Sequence, residues 1–115
     1  MTGKELYEKI GGNYDKVMAT LHTDEMVLKF AKMFLDDTSF PDLKKAMEAE
    51  DYTAAFKAAH ALKGVCLNMC YERLGNKAMD ITEGLRDGKD INSAKEKLPD
   101  LEKDYEEMIA EIKNL

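Results

Sequence analysis

Residues 51–68 read DYTAAFKAAHALKGVCLN. Asp51 is a good helix N-cap, and from Tyr52 to about Leu67 there is no proline and only one glycine, Gly64. Ala55, Phe56, Ala59, Leu62 and Cys66 recur at steps of three and four, which predicts one amphipathic helix with those residues on its buried stripe. A break is expected at Asn68-Met69-Cys70, because Asn tolerates a left-handed backbone.

The same punctuation extends to both sides. Thr2 and Glu5 form a capping-box pattern that opens a short helix, and Gly11-Gly12 ends it. Tyr14, Val17, Met18 and Leu21 make a further amphipathic turn or two. Thr23 caps the next helix, with Met26, Phe30, Met33 and Phe34 on one stripe and Val27 beside it. Asp36–Pro41 interrupts that helix; Ser39 is the expected cap for a continuation from about Pro41 to Glu50. After the central helix, Leu74, Ala78, Ile81 and Leu85 face inward on a helix from about Tyr71 to Arg86, closed by Asp87-Gly88. The last helix is expected from about Ile91 to Asn114. Its expected cap is the Ser93–Glu96 box, and Pro99 should bend it or start it afresh. Ile91, Leu98, Leu101, Tyr105, Met108, Ile109 and Ile112 are its apolar side. Short connections favour antiparallel neighbours. The expected fold is therefore all-α: an antiparallel up-down four-helix bundle of segments 24–50, 52–67, 71–86 and 91–114, with short additional N-terminal helices.

Composition agrees. A chain of 115 residues is one ordinary domain, expected to span 1–115. With 44% hydrophobic and 35% charged residues it is neither low-complexity nor disordered. Gly 7 and Pro 2 are too few for a many-stranded sandwich. No apolar run is long enough to span a bilayer, and residues 1–6 lack the apolar core of a signal peptide. A cytoplasmic location is expected, with Cys66 and Cys70 reduced. The Met1 start and the lack of a linker suggest a free-standing protein, with an excised module of a hybrid kinase as the alternative. A net charge of −6 argues against nucleic acid and anionic membrane as partners. Yet residues 52–79 hold Lys57, Lys63, Arg73 and Lys77 against Glu72 alone, a net of +3. That positive island directs attention to the central helix.

His60 lies in mid-helix, off the apolar stripe. Phe56, Lys57, Lys63 and Gly64 are its neighbours one turn away. Glycine inside a helix costs about 1 kcal/mol relative to alanine, so Gly64 calls for a reason. One reason is the close approach of another molecule to the imidazole. The other is that His60 is a solvated surface residue and Gly64 serves helix–helix packing.

The run His60-Ala61-Leu62-Lys63-Gly64, with Asn68 four residues after the glycine, resembles the histidine-containing phosphotransfer (HPt) domain of two-component phosphorelays. The motif covers residues 60–68, and the helical plan compatible with the family covers residues 13–115. The resemblance implies that His60 is phosphorylated, that Lys63 helps hold the phosphoryl group and that Gly64 leaves room for the partner. It places Asn68 near the helix end. Lys57, Leu67 and Asn68 are expected on the docking face around His60. Val65 stands where members often carry Ser or Ala, and Cys70 where they often carry Gly. The second departure bears on where the helix ends.

A neutral imidazole is a usable nucleophile near pH 7, and phosphoryl transfer needs in-line approach with stabilised equatorial oxygens. No P-loop, kinase glycine loop or carboxylate cluster for Mg²⁺ is present, so no autonomous kinase activity is expected. No cofactor or metal bound by this chain is expected. The resemblance implies Mg²⁺ in the partner, a response-regulator receiver domain whose aspartate exchanges phosphate with His60. A hybrid histidine kinase is a second possible partner. Two alternatives stay open. One is a helical-bundle adaptor that binds a receiver without being phosphorylated. The other is a metal or redox module using His60, Cys66 and Cys70. His22 reads as a junction residue, and no segment has the spacing of an EF-hand.

Overall fold

The computed structural model describes residues 1–115, and every regular element in it is helical. The elements are α1 (Gly3–Ile10), α2 (Tyr14–Leu21), α3 (Asp24–Met33), α4 (Ser39–Glu48), α5 (Tyr52–Met69), α6 (Glu72–Leu85) and α7 (Ile91–Lys113). A 3₁₀ turn, Phe34–Asp36, separates α3 from α4, and another, Arg86–Gly88, follows α6. None of the helices is long and apolar enough to cross a membrane.

Helix starts follow local acceptors for the orphan N–H groups. The Thr2–Glu5 box forms as expected, and Asn13, Thr23 and Asp51 accept from the third residue onward. Two expected caps are not used; at α4 the N-cap position falls to Thr38, which makes no side-chain cap bond. Ser39 lies inside α4, and its N–H donates to Asp37 Oδ1 at 2.9 Å. At α7 the cap is Asp90, which accepts from the Ser93 N–H at 3.1 Å, so the Ser93–Glu96 box is not used. An anionic acceptor at a helix start also gains from the dipole, which a hydroxyl does not. Pro99 does not restart the last helix: α7 runs through it. Lys95, whose carbonyl loses its usual donor there, is exposed to water, as is Pro99.

α5 is the centre of the packing. It lies between α4 and α6, and α6 in turn packs on α7; α1 packs against α7 and α3. Ala55, Ala58, Ala59, Leu62 and Cys66 form its inward side. Small alanines let neighbours approach closely, while Leu62, Leu74, Ile81, Leu101 and Met108 fill the interior. At 1.5 Å per residue, α7 alone is about 35 Å long, close to the 40 Å long axis of the molecule.

Two stripe assignments shift. Met33 is 53% exposed; Val27, Ala31 and Phe34 carry the buried side of the third helical segment instead. Phe56 is only half-buried, and Ala58 takes its place in the core. α5 also runs to Met69, beyond the expected break. Cys70, not Asn68, adopts the left-handed conformation (φ 57°, ψ 37°). That backbone is unfavourable for a residue with a Cβ. Several contacts over-determine it. The Tyr71 N–H closes on the Cys66 carbonyl at 2.9 Å, a Schellman-type ending. From the N-terminal segment, the Asn13 N–H donates to the Cys70 carbonyl at 2.9 Å, and the Tyr7 hydroxyl donates to the Met69 carbonyl at 2.8 Å. The Cys70 side chain is itself buried, which a glycine could not match.

Candidate functional site

His60 is exposed on α5. Gly64 follows one turn later and Leu67 one turn after that, so the three form a ridge along the solvent side of the helix. Leu67, in the last turn of α5, is 57% exposed, one of the few large apolar side chains left open to solvent. Asn68 and Lys57 are exposed too, while Lys63 is half-buried. All six candidate residues therefore lie on one helix. His60, Gly64 and Leu67 line up, Lys57 and Asn68 lie to one side, and Lys63 lies to the other, toward Glu83 of α6.

The glycine answers one of the two explanations offered for it. A Cβ built on Gly64 would meet nothing within 4 Å. Helix–helix packing does not require it. By contrast, a Cβ on Gly75 of α6 would sit 3.0 Å from the Cys66 Cβ, so that glycine is the one serving the α5–α6 contact.

The positive island divides in two. Arg73 and Lys77 turn toward α7. Arg73 Nε lies 3.5 Å from Asp104 Oδ2, and Lys77 Nζ lies 2.8 Å from Asp100 and 2.5 Å from Asp104. Those two cations are spent on structure. Lys57 and Lys63 make no salt bridge, and their charge is free for an anion beside His60.

A third cation, Arg86, is linked to this side of α5 through Phe56, which residue spacing alone did not disclose. The centroid of the Phe56 ring lies 5.9 Å from that of His60, and the Arg86 guanidinium sits 5.0 Å from the Phe56 centroid. Arg86 donates through Nε and Nη2 to the two carboxylate oxygens of Glu83, both at 3.1 Å. The only sequence trace of this arrangement is the Glu83-to-Arg86 spacing of three on a helix. Its proximity to His60 depends on the α5–α6 stagger.

The cysteines do not join this group. Cys66 is fully buried and Cys70 is buried in the turn, whereas His60 points outward. No group of three or more His, Cys, Asp or Glu side chains is placed to hold a metal ion. His22 is the left-handed C-cap of α2, a junction residue as expected. Burial pushes the Cys66 thiol up to about 12, with a smaller contribution from Asp37. A pKa raised in the folded state stabilises fully below the ordinary thiol value of 9.0 and is lost as pH climbs toward about 12. The Tyr7 and Tyr71 hydroxyls are raised in the same direction, chiefly by burial. Urea unfolding should therefore show stability falling progressively from pH 9 upward. A flat alkaline profile would mean that these groups are hydrated in the folded protein.

A family model described as Hpt domain matches residues 30–114. No curated protein and no solved structure matches the chain.

Proposed function

Because the chain belongs to the Hpt domain family, we propose that it is a phosphorelay intermediate that accepts a phosphoryl group on His60 and exchanges it with an aspartate of a receiver domain. The observation that carries this reading is the exposed His60 beside Gly64, whose open side serves no packing purpose. In-line transfer needs a nucleophile that another protein can reach, and an imidazole on the outer ridge of α5 meets that need. Lys63, with Lys57, balances charge on the equatorial oxygens. The chain brings the nucleophile and the docking face. The receiver brings the acidic pocket and its Mg²⁺, and such a pocket complements the free lysines around His60. A hybrid histidine kinase is the second partner in this scheme, and the cytoplasm is its setting. Residues 1–115 then act as one domain, with α3–α4, α5, α6 and α7 as an up-down antiparallel bundle. The packing order of α4, α5, α6 and α7 and their short connections support that arrangement.

The test is incubation with a phosphorylated receiver and Mg²⁺. The relay predicts label on this protein that is labile in acid and stable in alkali. Binding without label would favour the adaptor reading. Lys63→Ala should slow transfer on the order of fivefold, the equivalent of about 1 kcal/mol for an exposed charge contact, and leave the thermal unfolding profile in place. An unchanged transfer rate would remove Lys63 from the mechanism.

A further inference from the structure

The Phe56 side of His60 carries a feature that the relay chemistry described above does not use. Between α5 and the turn after α6 lies a cavity of about 430 Å³, whose wall includes Tyr52, Phe56, Lys57 and Arg86. Arg86 stands at the edge of this space with its guanidinium on the Phe56 ring and its fork occupied by Glu83. Both members of the pair are open to solvent, at 43% and 51% exposure, and they sit only three residues apart. Such a pair is weak and readily exchanged. The Glu83 carboxyl is nonetheless held below the usual carboxylate range, first by Arg86 and to a lesser degree by the charges of Lys63 and Lys89. Glu83 thus holds Arg86 by hydrogen bonds and feels the charge of Lys63, which makes no salt bridge.

A guanidinium fork matches a carboxylate and a phosphoryl group equally well in shape. The two differ in charge. A phosphoryl group carries close to two negative charges and three acceptor oxygens, against one charge on Glu83. The Arg86 side chain rests on the Phe56 ring, whose centroid is 5.9 Å from that of His60, so a change of rotamer is the movement the reading requires. We infer that Arg86 is a further phosphoryl-binding residue, held in reserve by Glu83 until His60 is phosphorylated. This inference rests on the phosphorelay reading of His60. It adds a switch to it: the Glu83–Arg86 fork opens when the phosphoryl group arrives, and it recloses when the group leaves.

The experiment uses the full chain and phosphoramidate as donor, so that no partner protein is needed. The P–N bond of the donor breaks and an N–P bond forms at His60. The imidazole proton leaves with the amide as ammonia. The second ionisation of the bound phosphoryl group is then followed by ³¹P NMR as a function of pH. A cation in contact favours the dianion, so its removal raises the midpoint. Arg86→Ala should raise it by about half a pH unit, the size of one exposed ion pair. Arg86→Lys keeps a charge on the Phe56 ring and should recover part of the shift. Glu83→Gln frees the guanidinium and should move the midpoint the other way. Arg86→Gln keeps much of the side-chain stem and separates charge from packing. A merely structural Arg86 would leave the midpoint untouched in Arg86→Ala, Arg86→Gln and Arg86→Lys, and that result overturns the inference while leaving His60 phosphorylation intact. A wild-type chain that takes up no phosphate at His60 overturns both.

Discussion

His60→Gln is expected to abolish phosphate transfer to this protein and to leave its stability within about 0.5 kcal/mol of the wild type. The chemical half follows from the nucleophile. Glutamine has a similar reach, but its amide nitrogen has no available lone pair, so no N–P bond forms. The loss should be complete, not partial, because transfer to an alternative side chain needs the same in-line geometry. The stability half follows from exposure. The His60 side chain makes no hydrogen bond or salt bridge, its one aromatic neighbour is Phe56, and glutamine is a better helix former. The chain contains only one other imidazole, His22, at the left-handed corner between α2 and α3. His22→Gln should keep full label. The pair of variants therefore reads out which imidazole is the acceptor, by acid-labile label and by urea unfolding on the same samples. Label surviving in His60→Gln would contradict the proposed function directly.

Where the sequence was sufficient, the controlling interaction was local. Thr2 with Glu5, Thr23 and Asp51 cap their helices through bonds across three residues, and the apolar steps of three and four placed most of the core of α5, α6 and α7. His60 was legible for the same reason, since its exposure follows from its angle to the alanine side of α5. The misreadings share a different cause. Ser93 was a plausible cap, but Asp90 takes its place, and a carboxylate binds the N–H groups better than a hydroxyl; at α4 the helix simply starts two residues before Pro41, with Ser39 inside it and its N–H held by Asp37. Cys70 holds the left-handed position because Asn13 and Tyr7, far away in sequence, grip that turn. Propensity alone favours Asn68. Phe56 and Arg86 belong to the same class. Their meeting depends on how α6 is staggered against α5, and one strand of text carries no register for two helices. The charge count misled in one respect as well. Arg73 and Lys77 raised the apparent basicity around His60, yet both are paired with acids of α7.

Gly64 separates stability from function more sharply than any other position. Gly64→Ala should stabilise the protein by up to about 1 kcal/mol, because alanine is the better helix former and restricts the unfolded chain. Nothing in the fold opposes it, since the added Cβ meets no atom within 4 Å. If the glycine were there for helix contact, the sign would reverse, as expected for Gly75 against Cys66. Gly64→Gln keeps much of the helix gain but raises a long side chain on the ridge between His60 and Leu67. A partner that must bring its aspartate within bonding distance of His60 then meets an obstacle. Overlap of that kind costs about 1–3 kcal/mol, which slows transfer by roughly fivefold to over a hundredfold. Stopped-flow transfer rates and urea midpoints should thus move in opposite directions: a stabler protein that passes phosphate more slowly. Equal rates in the glycine and glutamine forms would show that no partner comes close to this turn of α5, and the reason for a costly glycine in mid-helix would have to be sought elsewhere.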